Sequence, residues 1–154
     1  MSDQDRFAIS KEMAPGNEKA AYGMLSEISE NDPEAQYMLG MLTYNGVGTQ
    51  TNIRLAHSLF MKSFKGNMLE SGFAICKLIF TAESSEFHNY NRAAACFEDL
   101  SSKGHSGAKE LLASFIWIDL SPEILKEYTK QDAYNLMVEA FNAGSSSAAY
   151  FLYL

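Results

Sequence analysis

Small and aliphatic residues recur along the chain with the spacing of one helical face. The pattern appears in four segments, EAQYMLGMLTY from Glu34, ESGFAICKLIF from Glu70, GAKELLASFIW from Gly107 and SAAYFLYL from Ser147. In each, a small residue precedes an aliphatic one by four positions, as on the buried side of a helix; the pairs are Ala35/Leu39, Ser71/Ile75, Ala108/Leu112 and Ala148/Leu152. Successive segments start 36, 37 and 40 residues apart, so the pattern predicts a repeated helix.

A second helix is predicted in the same phase, because alanines at 20, 56, 93 and 133 have the same three spacings. Four positions before the last three alanines stand residues able to cap a helix start, namely Asn52, Asn89 and Thr129. Eleven positions after each alanine stand residue types that adopt the left-handed conformation closing a helix, namely Asn31, Asn67, Gly104 and Gly144. Each repeat is therefore predicted to be a helix, a loop, a capped second helix and a stop.

These signals predict one helical-repeat domain over residues 1–154, with helix pairs at about 34–67, 70–104 and 107–144 and a terminal helix at 146–154. Residues 1–16 are predicted to form an N-terminal capping helix, and Ser121-Pro122-Glu123 predicts an extra short helix in the third repeat. The predicted core is Leu39, Leu42, Ile75, Leu112, Leu152, Met24, Ile28, Phe60, Phe64, Phe97, Met137 and Phe141. Close approach of helices is predicted at Ala35, Gly40, Ala56, Ala93 and Ala133.

Segment 35–67 resembles a Sel-one-like repeat, a relative of the tetratricopeptide repeat. The residues at the marker positions of that family are Ala35, Leu39, Gly40, Gly46, Gly48 and Ala56. The later repeats depart from the pattern, since Cys76 replaces the small glycine and no Gly-x-Gly follows it. The resemblance covers about residues 17–154 and implies an all-α, right-handed α-solenoid of three to four repeats. It implies a fold and no reaction.

Charge and composition narrow the range of partners and locations. The 154 residues have a formal net charge of -7, whereas binding to a nucleic-acid backbone requires a basic surface, so we expect no direct nucleic-acid partner. No apolar run approaches the length that spans a bilayer, and the acidic start does not resemble a signal peptide, so we expect a cytoplasmic protein with no membrane partner. In the reducing cytoplasm Cys76 and Cys96 should be buried thiols.

No catalytic or ligand-binding constellation has a recognisable spacing. His57, His88 and His105 are isolated in sequence, which argues against a metal site. Gly46-Val47-Gly48 follows no strand and precedes no Gly-Lys-Ser/Thr, so it predicts a turn rather than a phosphate loop. We therefore predict that the protein is not an enzyme and has no cofactor and no metal.

The expected partner is another protein, bound in the concave groove that the resemblance implies. The groove positions lie two residues before and after each aliphatic marker, and they are Tyr37, Met41, Phe73, Lys77, Glu110, Ser114 and Tyr150. Residues 1–34, 35–82 and 83–154 carry net charges of -5, +3 and -5, so a basic partner is one option. Alternatively, the aromatic positions only pack between neighbouring helices. The apolar end at Tyr150, Phe151 and Tyr153 either docks on its own fold or forms a homodimer.

The resemblance implies two functions for a short chain of this kind. One is an immunity-type protein that neutralises a toxin, with a basic toxin as one option, by occluding it. The other is a general adaptor or signalling scaffold. A third class, an enzyme assembled from unrecognised pieces, would need a polar pocket with strongly perturbed titratable groups.

Overall fold

A computed structural model describes residues 1–82 and 86–152, with side chains as far as Ala149. The described residues form ten helices and contain no strand. In chain order the helices are α1 (Asp3–Glu12), α2 (Glu18–Ile28), α3 (Pro33–Asn45), α4 (Ile53–Lys65), α5 (Leu69–Thr81), α6 (Tyr90–Ser102), α7 (Ser106–Trp117), α8 (Pro122–Leu125), α9 (Lys130–Asn142) and α10 (Ser146–Leu152). The chain divides into two compact units, Met1–Ile75 and Cys76–Leu154, and the boundary falls within α5.

The predicted helix starts are confirmed at the second helices of the three repeats. The side chains of Asn52, Asn89 and Thr129 accept hydrogen bonds from backbone amides at the first turns of α4, α6 and α9. Such bonds satisfy amides that a helix start leaves without partners. The structure adds one cap that the sequence analysis missed, because His105 Nδ1 accepts from the Ala108 amide at 3.1 Å and so begins α7.

Two glycines in the first unit are required by close packing. A Cβ atom on Gly40 would lie 2.6 Å from Phe60 Cε1, so α3 and α4 meet through a ring placed against bare backbone. Gly46 ends α3 with a φ of 70°, and Gly48, with a φ of 71°, follows in the turn. A Cβ on Gly48 would lie 2.2 Å from the Glu18 carbonyl oxygen. The predicted roles of Gly40 as a close-approach point and of Gly46–Gly48 as a turn are thus confirmed.

The prediction that the two cysteines are free thiols is wrong. Cys76 on α5 and Cys96 on α6 form a disulfide, with Cα atoms 5.5 Å apart. Cys76 is fully buried, and it occupies the small-residue position that Gly40 occupies one repeat earlier. A spacing of 20 residues contains no sign of such a pair, because the distance between the thiols depends on how two helices cross.

Two aromatic side chains, Phe97 and Phe115, are buried in the core of the second unit. Phe97 and Phe115 pack edge to face at 5.5 Å, and Phe80 lies 5.1 Å from Phe115. The predicted short helix is confirmed as α8, in the connection between α7 and α9. The Tyr128 hydroxyl donates to Glu98 on α6 at 2.7 Å, and burial together with that carboxylate raises the pKa of Tyr128 to about 12.

The predicted core is confirmed at Leu39, Leu42, Ile75, Leu112, Phe60, Phe97 and Met137. Met24, Ile28 and Phe64 are only partly buried, and the side chain of Leu152 lies outside the described residues. Phe141 was predicted incorrectly, since 48% of it is exposed. On α9 the buried face contains Ala133, Met137 and Ala140, and the next residue is turned about 100° away from it.

One predicted helix stop is also wrong. Asn67, Gly104 and Gly144 have the left-handed backbone expected of a stop, with φ of 67°, 90° and 94°. Asn31 does not, because α2 ends earlier, at Ile28, and its C-cap Ser29 keeps a right-handed helical conformation. The chain then turns directly into Asp32, whose carboxylate caps α3.

Candidate functional site

The predicted groove positions lie on the first helix of each repeat. Tyr37 and Met41 lie on α3 and Phe73 on α5, all within Met1–Ile75. The remaining four positions, Lys77, Glu110, Ser114 and Tyr150, fall in Cys76–Leu154. The first three side chains are each partly buried, so each is available for contact along only part of its surface.

Tyr37 is held by an aromatic contact and lies near a carboxylate. Its ring centroid is 6.0 Å from that of Phe60, with the planes tilted by 45°. Burial raises the pKa of the Tyr37 hydroxyl, and the negative charge of Glu70 raises it further. Because Glu70 is exposed, this part of the first unit combines an aromatic ring with an anionic group at the surface.

Met41 extends the same face of α3, since it follows Tyr37 by one turn. Its carbonyl oxygen accepts the Asn45 side-chain amide at 2.8 Å, and its thioether is partly exposed. Thioethers adapt readily to irregular partner surfaces. We call Tyr37, Met41, Phe73 and Glu70 the first-unit patch.

The positions in the second unit have a different character. Glu110 accepts a hydrogen bond from Ser145 Oγ at 2.6 Å, and the Ser114 hydroxyl donates to the Glu110 carbonyl oxygen at 3.0 Å. Both side chains are thus engaged within the protein. Lys77 is exposed, and its carbonyl oxygen accepts from Thr81. The described residues exclude the side chain of Tyr150 and the whole of Tyr153. The homodimer contact predicted through these residues therefore also falls outside the described part of the chain.

Glu70 was not predicted as a site residue, although the sequence contains one signal for it. It is the only acidic residue between positions 35 and 82, where the other charged residues are Arg54, Lys62, Lys65 and Lys77. A lone carboxylate in a basic segment is noticeable in the sequence. The sequence does not indicate that Glu70 acts on Tyr37, because the two residues lie on different helices.

A depression of about 580 Å³ lies beside the Gly46–Gly48 turn. It is lined by Glu18, Lys19 and residues 46–50. The close contact of Gly48 with the Glu18 carbonyl shows that this turn packs on the start of α2. The arrangement thus explains the glycines by packing alone.

Among residues 1–82 and 86–152, no three His, Cys, Asp or Glu side chains are grouped closely enough to hold a metal ion. None of the helices described there has the length and apolar character needed to cross a bilayer.

Comparison with solved structures identifies the fold. The chain is similar to a Sel1 repeat protein from Oxalobacter formigenes, with a TM-score of 0.78 and 18% identity over 96% of this chain and 60% of that one. It is also similar to c5321, a protective antigen present in uropathogenic Escherichia coli strains that displays an SLR fold, with a TM-score of 0.75 and 14% identity. That match covers 97% of this chain and 32% of the antigen.

These similarities confirm the predicted all-α solenoid of Sel-one-like repeats at the level of the fold. The chain spans less than two thirds of either solved protein, so their full architectures extend beyond it. No protein-family model matches the chain. No curated protein matches it significantly.

Proposed function

Because the chain has the fold of Sel-one-like repeat proteins, we propose that it is a non-enzymatic module that binds another protein. The first-unit patch is the proposed contact. The observation that supports it most strongly is that Tyr37, Met41 and Phe73 are only partly buried. Partly exposed aromatic side chains add large contact areas at small entropic cost, and they are frequent anchors of interfaces.

The charge at this patch favours a basic group in the partner. Burial raises the pKa of the Tyr37 hydroxyl and the negative charge of Glu70 raises it further, so the carboxylate lies within electrostatic range of the ring. A lysine or arginine side chain could meet the aromatic face and the carboxylate at once. The -5 charge of residues 1–34 would add long-range attraction and speed association at low salt.

The finer proposal is an immunity-type inhibitor that occludes a basic toxin. Its support is the resemblance of the repeats and the acidic surface, and fold alone does not specify function. The alternative proposal is an adaptor or signalling scaffold. The two differ in the expected partners, because an inhibitor has one tight partner and a scaffold has several weaker ones.

The disulfide bears on the compartment in which this binding occurs. A cytoplasmic location was expected from the sequence, but the Cys76–Cys96 bond favours an oxidising compartment. Alkylating thiols in intact cells before lysis tests this directly. If both cysteines are trapped as thiols, the protein resides where they stay reduced, and the cytoplasmic expectation is retained.

The binding site is tested by retaining proteins from a lysate of the source organism on the purified chain. We expect a partner held by the unaltered protein to be lost from Tyr37→Ala/Phe73→Ala. The matched control is Tyr134→Ala/Phe141→Ala, which removes the same two residue types from α9, where both are 48% exposed. A partner bound equally by all three proteins contradicts the proposed site.

A second variant guards against loss of folding, since Tyr37 also packs on Phe60. Glu70→Lys replaces an exposed side chain, and circular dichroism should show an unchanged helix content. A basic partner should bind this variant several-fold more weakly, with a reduced salt dependence. Co-expression of the retained partner then separates the two functions, because only an inhibitor restores growth that the partner arrests.

A further inference from the structure

Helix α4 differs in charge from the rest of this acidic chain. Its charged residues are Arg54, Lys62 and Lys65, and it contains no acidic residue. Each of the other helices up to α9 contains at least one Asp or Glu. A basic element in a chain of net charge -7 calls for a specific explanation.

The exposed residues of α4 are confined to one side of the helix. They are Arg54, Leu55, Ser58, Met61, Lys62 and Lys65, and helical geometry places them within about 120° of arc. We call this set the α4 outer face. Leu55 is 43% exposed and Met61 37%, so apolar side chains lie among the cations. The opposite side is buried at Ala56, Leu59, Phe60 and Ser63.

Interactions within the protein account for only part of this arrangement. Lys62 and Lys65 lie in the last turn of α4, where the helix dipole favours cations. Arg54, which has an interaction within the protein, lies in the first turn, where the dipole disfavours a cation. Across the described ranges 1–82 and 86–152, Lys62 and Lys65 form no ion pair, whereas Lys109 is paired with a glutamate.

We propose that the α4 outer face docks an acidic, partly apolar segment of another protein. Carboxylates of the segment would meet Lys62 and Lys65, and its apolar side chains would cover Leu55 and Met61. This surface lies on the second helix of a repeat and is separate from the first-unit patch, which lies on first helices. Its partner is also of opposite charge to the one expected at the patch.

The size of the face predicts the strength of this contact. A helix of 13 residues is about 20 Å long. One exposed face of such a helix buries less than the roughly 800 Å² per partner of a standard interface. We therefore expect micromolar, salt-sensitive binding with rapid exchange. A lipid surface is disfavoured, because three cations attract anionic headgroups weakly while the rest of the chain is acidic.

The test uses fluorescent peptides of about 16 residues that place Glu at helical spacing beside Leu and Met, with Gln-for-Glu peptides for comparison. Anisotropy should show the unaltered protein binding the Glu peptides about tenfold more tightly than the Gln peptides. Lys62→Glu/Lys65→Glu should lose that preference. Lys62→Gln/Lys65→Gln should lose most of it, and it keeps good helix formers if the first variant folds poorly.

The matched control is Lys11→Glu/Lys19→Glu, which changes the net charge equally and lies in the same compact unit. Its dissociation constant for the Glu peptides should stay within about twofold of that of the unaltered protein, because distant charges act only weakly through salt solution. Equal weakening in both charge-reversal variants overturns the proposal, and so does equal binding of Glu and Gln peptides. Stronger binding to phosphatidylserine vesicles than to the peptides also overturns it and assigns the face to membranes.

This outcome is separable from the first-unit patch. Tyr37→Ala/Phe73→Ala should bind the Glu peptides as the unaltered protein does, because the α4 outer face is intact in it. Loss of peptide binding in that variant, with helix content unchanged, overturns the assignment to α4.

Discussion

Breaking the Cys76–Cys96 disulfide should destabilise the second compact unit and leave its helices able to form. The bond links α5 to α6 and closes a loop of about 20 residues. Cross-linking a chain at that separation removes conformational entropy from the unfolded state, which corresponds to about 3 kcal/mol at 25 °C. A marginally stable domain has only about 5–15 kcal/mol in total, so the change should be readily measurable.

Tryptophan fluorescence is a suitable assay, because the single tryptophan, Trp117, lies in the same unit as the disulfide. Urea unfolding should be followed with and without a phosphine reductant. With a slope of about 2 kcal/mol per molar urea, a loss of 3 kcal/mol lowers the midpoint by about 1.5 M. The double variant Cys76→Ala/Cys96→Ala should unfold near the midpoint of the reduced protein.

The same double variant is the control, because its midpoint should not respond to the reductant. Two results would contradict this prediction. The first is a midpoint that reductant leaves unchanged in the unaltered protein. The second is the titration of two thiols in the oxidised protein after denaturation, since that shows that the bond does not form.

Three further results are expected from local features of the fold. Gly40→Ala should lower the free energy of unfolding by about 1–3 kcal/mol, because its Cβ would meet the Phe60 ring. Gly23→Ala, whose Cβ would have no atom within 4 Å, should be neutral or stabilising by up to about 1 kcal/mol. Thermal melts of the two variants test this difference. Asn89→Ala should lower the free energy of unfolding by about 1 kcal/mol through loss of the α6 cap, and equal stability in urea would contradict that role. Hydrogen bonds from Thr129 lower the pKa of Asp132 below 3.8. The contribution of Asp132 to stability should therefore be present above pH 3.8 and lost as the pH falls through the lower, folded-state pKa. Asp132→Asn should make the stability less dependent on pH in that acid range.

Helix boundaries could be predicted where local chemistry specifies them. Asn52, Asn89 and Thr129 were identified as caps from their phase in the repeat, and each accepts the expected amide. Burial was less predictable, because a helical face is wide and its centre depends on the neighbours. Phe141 illustrates this, since it lies one residue beyond the buried Ala140.

The candidate site could be predicted only in part. The spacing of Tyr37 and Met41 places them on one face of α3, and this follows from helix geometry alone. The approach of Glu70 to Tyr37 could not be derived, because it depends on how α3 and α5 are placed. For the same reason no spacing rule indicated the α4 outer face, which is defined by the side of α4 left uncovered.

The repeated helices, their caps and their class of fold could be predicted from the sequence, because these depend on residues within a few positions of one another. The Cys76–Cys96 bond and the fit of the Phe60 ring against Gly40 depend instead on the packing of whole helices. Those contacts join residues 20 positions apart on crossing helices. Their distances are set by helix packing, which depends on all the side chains between two helices rather than on any local pattern.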